Sequence, residues 1–139
     1  MSPMSYELRE HTADVAVEAT GETIDAVFGA VADGLAAAMH DDPPGEGRRF
    51  ELTRTAESRE ALLFDYLDEL IYQRDVRAVL PVDNEATVRE TADGWTVTAS
   101  ARGVPLSSIT AREVKAVTYS EMRLESTADG WRAYVVFDV

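Results

Sequence analysis

Two pentapeptides constrain this chain more than any other feature. Thr91-Ala92-Asp93-Gly94-Trp95 recurs as Thr127-Ala128-Asp129-Gly130-Trp131, each copy set between segments where apolar and polar residues alternate. Asp-Gly tolerates positive φ at both centres of a tight turn, so each copy predicts a β-hairpin. Duplicated acidic loops could instead bind a metal, but turn chemistry accounts for them without one. From Val76 onward the pattern is β, with strands expected near 76–90, 95–102, 114–124 and 131–139. An irregular insert is expected to open at Gly103-Val104-Pro105-Leu106.

Two helical stripes precede these strands. Ile24, Val27, Phe28, Val31, Leu35 and Met39 recur at helical spacing, with Thr23 as the cap. Gly29 and Gly34 weaken this helix but permit close packing. Residues 41–47, Asp-Asp-Pro-Pro-Gly-Glu-Gly, read as a mobile loop. The second helix is capped by Ser58 and buries Leu62, Leu63, Tyr66, Leu67, Leu70 and Ile71, leaving Asp65, Asp68 and Glu69 on a solvated face. Shorter strands are expected at Tyr6 to Leu8, at Val15, Val17 and Ala19, and at Phe50 and Leu52. Two amphipathic helices and a run of antiparallel strands define an α+β domain, the helices packed on a mostly antiparallel sheet or sandwich.

At 139 residues the chain reads as one domain, 1–139. It has no apolar run long enough for a membrane span and no signal-peptide pattern. It also has no cysteine, so disulfides and thiolate zinc sites are excluded. These features suit the cytoplasm. Acidic residues number 26 against 13 basic ones, and Lys115 is the one lysine. A carboxylate-rich chain nearly purged of lysine has a halophilic composition, in which salt screens self-repulsion. No basic stripe exists to displace phosphate counterions, so direct nucleic-acid binding is not expected.

Chemistry concentrates at two ends of the sequence. Glu10-His11-Thr12-Ala13-Asp14 opens a strand in which Val15, Val17 and Ala19 face one way and Asp14, Ala16 and Glu18 the other. Phe137-Asp138-Val139 closes the sequence, with Asp138 on the strand face opposite Ala133, Val135 and Phe137. Asp14, Asp138 and the α-carboxylate of Val139 could converge on one divalent cation. Repulsion among three carboxylates would be offset by such an ion, and all-oxygen donors suit calcium or magnesium. The plainer alternative is that Asp14 ends a turn and Asp138 a solvated strand. Lys115 is the one ammonium retained where arginine serves elsewhere, which suggests a compact charge near carboxylates or a phosphate. His11 could act as a base or ligand, or anchor the turn that aims Asp14. His40 ends the first helix and is assigned no function.

Three stretches together resemble the archease family. His11-Thr12-Ala13-Asp14 with Gly21-Glu22-Thr23 is similar to its opening. Val114-Lys115-Ala116-Val117-Thr118-Tyr119 and Val136-Phe137-Asp138-Val139 resemble its other two signatures, in the same order along the whole chain. The resemblance implies a non-catalytic protein cofactor of the RtcB-type tRNA-splicing ligase. Such a protein promotes guanylylation of the ligase and its multiple turnover in tRNA processing. It also implies a divalent cation, calcium in the usual assignment, at Asp14, Asp138 and Val139, with Lys115 and His11 in support. The sequence departs from the family pattern at Gly103-Val104-Pro105-Leu106-Ser107 and at Ser120, where relatives often carry histidine. Residues 103–120 are therefore expected to add less to the site. Two other classes stay open: a general chaperone-like interaction module, and a metal-dependent nucleotide or RNA hydrolase using the same carboxylates.

Overall fold

A computed structural model describes residues 14–139. The expected strand at Tyr6 to Leu8, and His11 with it, lie outside the described residues. The elements run β1 (Asp14–Gly21), α1 (Ile24–Met39), β2 (Arg48–Ala56), α2 (Arg59–Arg77), β3 (Val79–Thr91), β4 (Gly94–Pro105), a 3-10 turn (Leu106–Ser108), β5 (Ala116–Thr127) and β6 (Gly130–Asp138). The strands form two antiparallel three-stranded sheets. Sheet A has the order β1-β6-β5 and sheet B the order β2-β4-β3. The α+β expectation is met. The helices and both sheets share one core, in which Phe28, Tyr66 and Phe137 are the largest fully buried side chains.

The pentapeptide repeat is the visible part of a larger internal correspondence. Each sheet consists of a strand leading into a helix, plus a hairpin whose second strand lies at the centre. The second unit, β2-α2-β3-β4, is contiguous and sits between α1 and β5 of the first. Thr23 accepts from the Ala26 amide at 3.1 Å, and Ser58 accepts from the Ala61 amide at the same distance. The shift that carries Thr23 to Ser58 carries buried Val27, Phe28, Val31, Ala32, Leu35, Ala36 and Met39 onto Leu62, Leu63, Tyr66, Leu67, Leu70, Ile71 and Arg74, all buried. At the hairpins, Gly94 lies against the Ala56 carbonyl and Gly130 against the Gly21 carbonyl, both with positive φ. A side chain at either glycine would strike the chain entering the helix. Arg59 then sits between the two repeated tryptophans, 5.4 Å from the Trp95 ring and 5.1 Å from that of Trp131. The repeat therefore builds a cation–π clamp as well as two turns.

Several boundaries differ from the sequence reading. Helix α2 runs to Arg77, because the stop comes only at Ala78, whose φ of 54° is left-handed; β3 therefore starts at Val79 rather than Val76. Gly103-Val104-Pro105 is not an insert but the end of β4, paired with Val79, Leu80 and Pro81. Gly103 permits close approach to Val79, and the prolines lie at the end of β4 or on edge strand β3, where a missing N–H costs little. The irregular segment begins at Leu106. Asp65 and Glu69 do not form a solvated face, since Arg54 of β2 reaches Glu69 Oε1 at 3.0 Å and Asp65 Oδ2 at 3.9 Å. The loop at 41–47 is tied down: Arg102 donates to the carbonyls of Pro44 and Glu46, and His40 Nε2 lies 3.2 Å from that of Asp42.

Candidate metal centre at the end of sheet A

Central strand β6 carries one end of the candidate site and positions the rest. Asp14 of β1 lies directly across from Asp138, and Ala116 of β5 lies across from it on the other side. Opposed residues in an antiparallel pair project to the same face, with Cβ atoms about 4.5–5.5 Å apart. Along β1 the pattern alternates: Val15, Val17 and Ala19 pack against the core, while Asp14, Ala16 and Glu18 are exposed. Asp138 is likewise exposed beside fully buried Phe137. Two carboxylates thus share the outer face at the sheet's end.

The neighbouring groups arrange the same corner. The Lys115 amide donates to the Asp138 carbonyl at 2.8 Å, which ties the segment before β5 to β6. Residue 114, just before it, is held by Arg74, whose Nη1 donates to the Val114 carbonyl at 2.7 Å. Arg74 is buried and also pairs with Asp75 at 2.9 Å. The side chain of Val139, next to Asp138, packs against the core. Lys115 is exposed.

Among the described residues, neither Asp14 nor Asp138 makes an ion pair. No group of three or more His, Cys, Asp or Glu side chains capable of holding a metal occurs there either. The candidate donors brought together here are the side-chain carboxylates of Asp14 and Asp138. Like charges directly opposite on a sheet are destabilising, and a hard cation bound by oxygen alone would relieve them. Oxygen donors alone suit a hard ion such as calcium or magnesium better than zinc.

Sequence reasoning brought Asp14, Asp138 and Lys115 to one place, and the structure joins them there through strand register and one backbone hydrogen bond. It missed Arg74, which fixes the approach to Lys115. The available signal was the helical stripe itself: Arg74 falls three positions past Ile71, on the buried side. His40, given no role, is a brace, with Nδ1 3.1 Å from the Thr110 carbonyl in addition to its contact with Asp42. Tyr119 stacks on Phe64 with ring centroids 4.1 Å apart and planes 7° from parallel. Partial desolvation, then the charge of Asp65, hold the Tyr119 hydroxyl above its ordinary range.

Two interlocked strand–helix–hairpin units, with a carboxylate pair closing one of them, define the class of fold. Residues 6–139 match the model of the Archease protein family (MTH1598/TM1083). The chain is 38% identical to protein archease of Methanosarcina mazei over 140 residues, covering 96% of this chain and 95% of that protein. It is 37% identical to protein archease of Thermococcus gammatolerans over 141 residues, covering 96% and 98%. The chain belongs to the archease family. Its fold matches the solution structure of Methanobacterium thermoautotrophicum protein 1598 with a TM-score of 0.73 at 31% identity, over 91% of this chain and 93% of that one. It also matches the crystal structure of a Thermotoga maritima archease, described as a "possible chaperone", with a TM-score of 0.64 at 21% identity and 93% coverage of each. Among the described residues, no helix is long and apolar enough to cross a membrane.

Proposed function

We propose that this protein is a non-catalytic, cytoplasmic activator of an RtcB-type tRNA-splicing ligase. It promotes guanylylation of the ligase and its multiple turnover in tRNA splicing. The observation that carries the reading is the register pair Asp14–Asp138, with Lys115 bonded through its amide to the same residue. These residues come from the three stretches on which the family resemblance rests. Asp14, Asp138 and the Val139 carboxylate would hold a calcium ion, with magnesium as the alternative. When bound, the ion supplies positive charge at a tip that is otherwise anionic. In this reading the acidic tip enters the ligase near its nucleotide. Asp14 and Asp138 aim the tip, and the Lys115 ammonium neutralises phosphate charge or orders the carboxylates.

The test is ligase guanylylation and multiple turnover with folded Asp14→Ala, Asp138→Ala and Lys115→Ala proteins. Loss of stimulation in the aspartate variants, with the ligase's basal activity unchanged, is the expected result. Undiminished stimulation by all three would sink the reading. A chain extended beyond Val139 should also stimulate poorly, because the α-carboxylate becomes a peptide carbonyl.

A second reading has its own support. Tyr72, Val76 and Tyr119 are exposed large apolar side chains, and the Thermotoga relative is described as a possible chaperone. A chaperone-like module would bind its partner equally well with chelator present and with Asp14→Ala.

A further inference from the structure

We propose that the cavity between β2, the C-terminal end of α2 and β4 binds a small polyphosphate anion, of the size of a nucleoside polyphosphate. The inference stands apart from the ligase reading and uses none of the residues at the end of sheet A. The cavity measures about 680 Å³, and Arg48, Arg49, Arg77, Phe50, Val79 and Pro105 line it. A volume in this range suits a small cofactor-sized molecule.

Its charge sets it apart. The chain carries 26 acidic and 13 basic residues, yet among the described residues three arginines and no carboxylate line this cavity. Four other surface cavities each bring in acid: Asp41 in one, Asp42 in another, Glu18 with Glu121 in a third, Asp25 with Glu85 in a fourth. In a molecule of strongly negative net charge, a cavity lined by arginines with no carboxylate among the described residues is where an anion can be received.

Arg48 and Arg77 keep their charge available, whereas Arg49 turns to the opposite face of β2 and is tied up beside Arg102. Arg77 Nε donates to Gln73 Oε1 at 2.6 Å, and its guanidinium lies 4.6 Å from the centre of the Phe50 ring. An amide and an aromatic face fix its position without cancelling its charge. Arg49 Nη2 donates to the Asp83 carbonyl at 2.7 Å and to Ser100 Oγ at 2.8 Å. Its carboxylate neighbour among the described residues, Glu85, is 3.6 Å away and largely exposed. Arg48 is exposed and makes no ion pair among the described residues. Guanidinium groups spread their donors in a plane and pair with phosphate oxygens two at a time. Phe50, Val79 and Pro105 provide an apolar wall for the remainder of such a ligand. A nucleic-acid backbone is the poorer fit, since it needs a continuous basic track rather than one isolated cavity.

The test is calorimetric titration of the full chain with sodium pyrophosphate and with an unphosphorylated single-stranded oligoribonucleotide. Arg48→Gln, Arg77→Gln and the exposed control Arg89→Gln are compared, with folding checked by circular dichroism. Arg77→Lys replaces Arg77→Gln if the latter does not fold, and is expected to retain part of the affinity. Pyrophosphate should bind, and each of the two glutamine variants should weaken it by about tenfold, with Arg89→Gln unchanged within about twofold. Absence of pyrophosphate binding would overturn the proposal, as would equal weakening in Arg89→Gln. Tighter binding of the oligoribonucleotide, lost in the same variants, would overturn the small-ligand assignment in favour of a nucleic-acid backbone.

Discussion

The end of sheet A and the end of sheet B occupy equivalent places in two similar units, yet they carry opposite charge. The shift that superimposes the caps takes Asp14 to Arg49, and the shift that superimposes the pentapeptides takes Asp138 to Arg102. Both are cross-strand pairs, Asp14 with Asp138 and Arg49 with Arg102. Sheet B neutralises its pair internally. Arg102 meets Asp83 at 2.8 Å and reaches two loop carbonyls, and Arg49 has the Asp83 carbonyl, Ser100 and Glu85. Among the described residues, sheet A offers no cation to its carboxylates. A shared scaffold thus closes one end with its own hydrogen bonds and leaves the carboxylates of the other without an ion-pair partner among the described residues. The irregularities in the edge strands support the equivalence, since pairing slips after Val82 in β3 and after the corresponding Thr118 in β5. A bulge at that position bends each edge strand beside its charged pair.

The largest expected effect probes the equivalence of the helices. Leu35 and Leu70 are corresponding residues, each 1% exposed. Leu35→Ala and Leu70→Ala should each lower unfolding stability by about 2–5 kcal/mol, measured by denaturant titration. If one of them costs almost nothing, the two units are not packed alike.

A smaller effect, of two signs, probes the charged ends. Without divalent cation, Asp14→Asn or Asp138→Asn should stabilise the fold by up to about 1 kcal/mol, because like charges no longer face each other. With calcium in about hundredfold excess over its dissociation constant, the unsubstituted protein should gain about 2.7 kcal/mol. The variants should gain far less. Arg102→Gln should do the reverse of the apo aspartate variants and destabilise the fold. Thermal melts with and without chelator would distinguish these outcomes, and identical melts for all proteins would break the contrast between the two ends.

The smallest effect lies where the helices differ. Val31 of α1 corresponds to Tyr66 of α2, whose hydroxyl is buried without a hydrogen-bond partner among the described residues. Burial, and then the charge of Asp33, raise its pKa far above the ordinary value near 10. The folded state therefore retains this proton more tightly than the unfolded chain. The resulting stability is fully present below pH ~10 and is lost as pH rises further, once the unfolded tyrosine ionises. Tyr66→Phe should leave stability at neutral pH unchanged or raise it by about 1 kcal/mol. It should also flatten the alkaline limb of a stability-against-pH curve. A loss of several kcal/mol would show that the hydroxyl is satisfied after all.

Much of this molecule could be read from local pattern. The stripes from Val27 to Met39 and from Leu62 to Ile71, the caps Thr23 and Ser58, and both Asp-Gly turns were legible because each signal lies within a few residues. Asp14, Asp138 and Lys115 could be picked out as candidates because charge in an otherwise apolar strand end stands out. The end of β4 was misread because glycine and proline signal a turn locally, and only pairing with Val79–Pro81 shows that strand geometry holds there. Asp65 and Glu69 were assigned to solvent because helical periodicity cannot reveal that Arg54 of β2 lies opposite.

By itself the sequence determined the element types, the hairpin turns and the identities of the charged residues at the strand ends. Only the tertiary structure decided that the helices and hairpins form two interlocked units, with an arginine pair where the other unit has an aspartate pair. It alone placed Arg59 between two tryptophans distant in sequence and gathered Arg48, Arg49 and Arg77 around one cavity. The physical reason is range. Propensity, capping and turn chemistry act between near neighbours, whereas charge compensation and cavity lining depend on which strands and helices come to lie side by side.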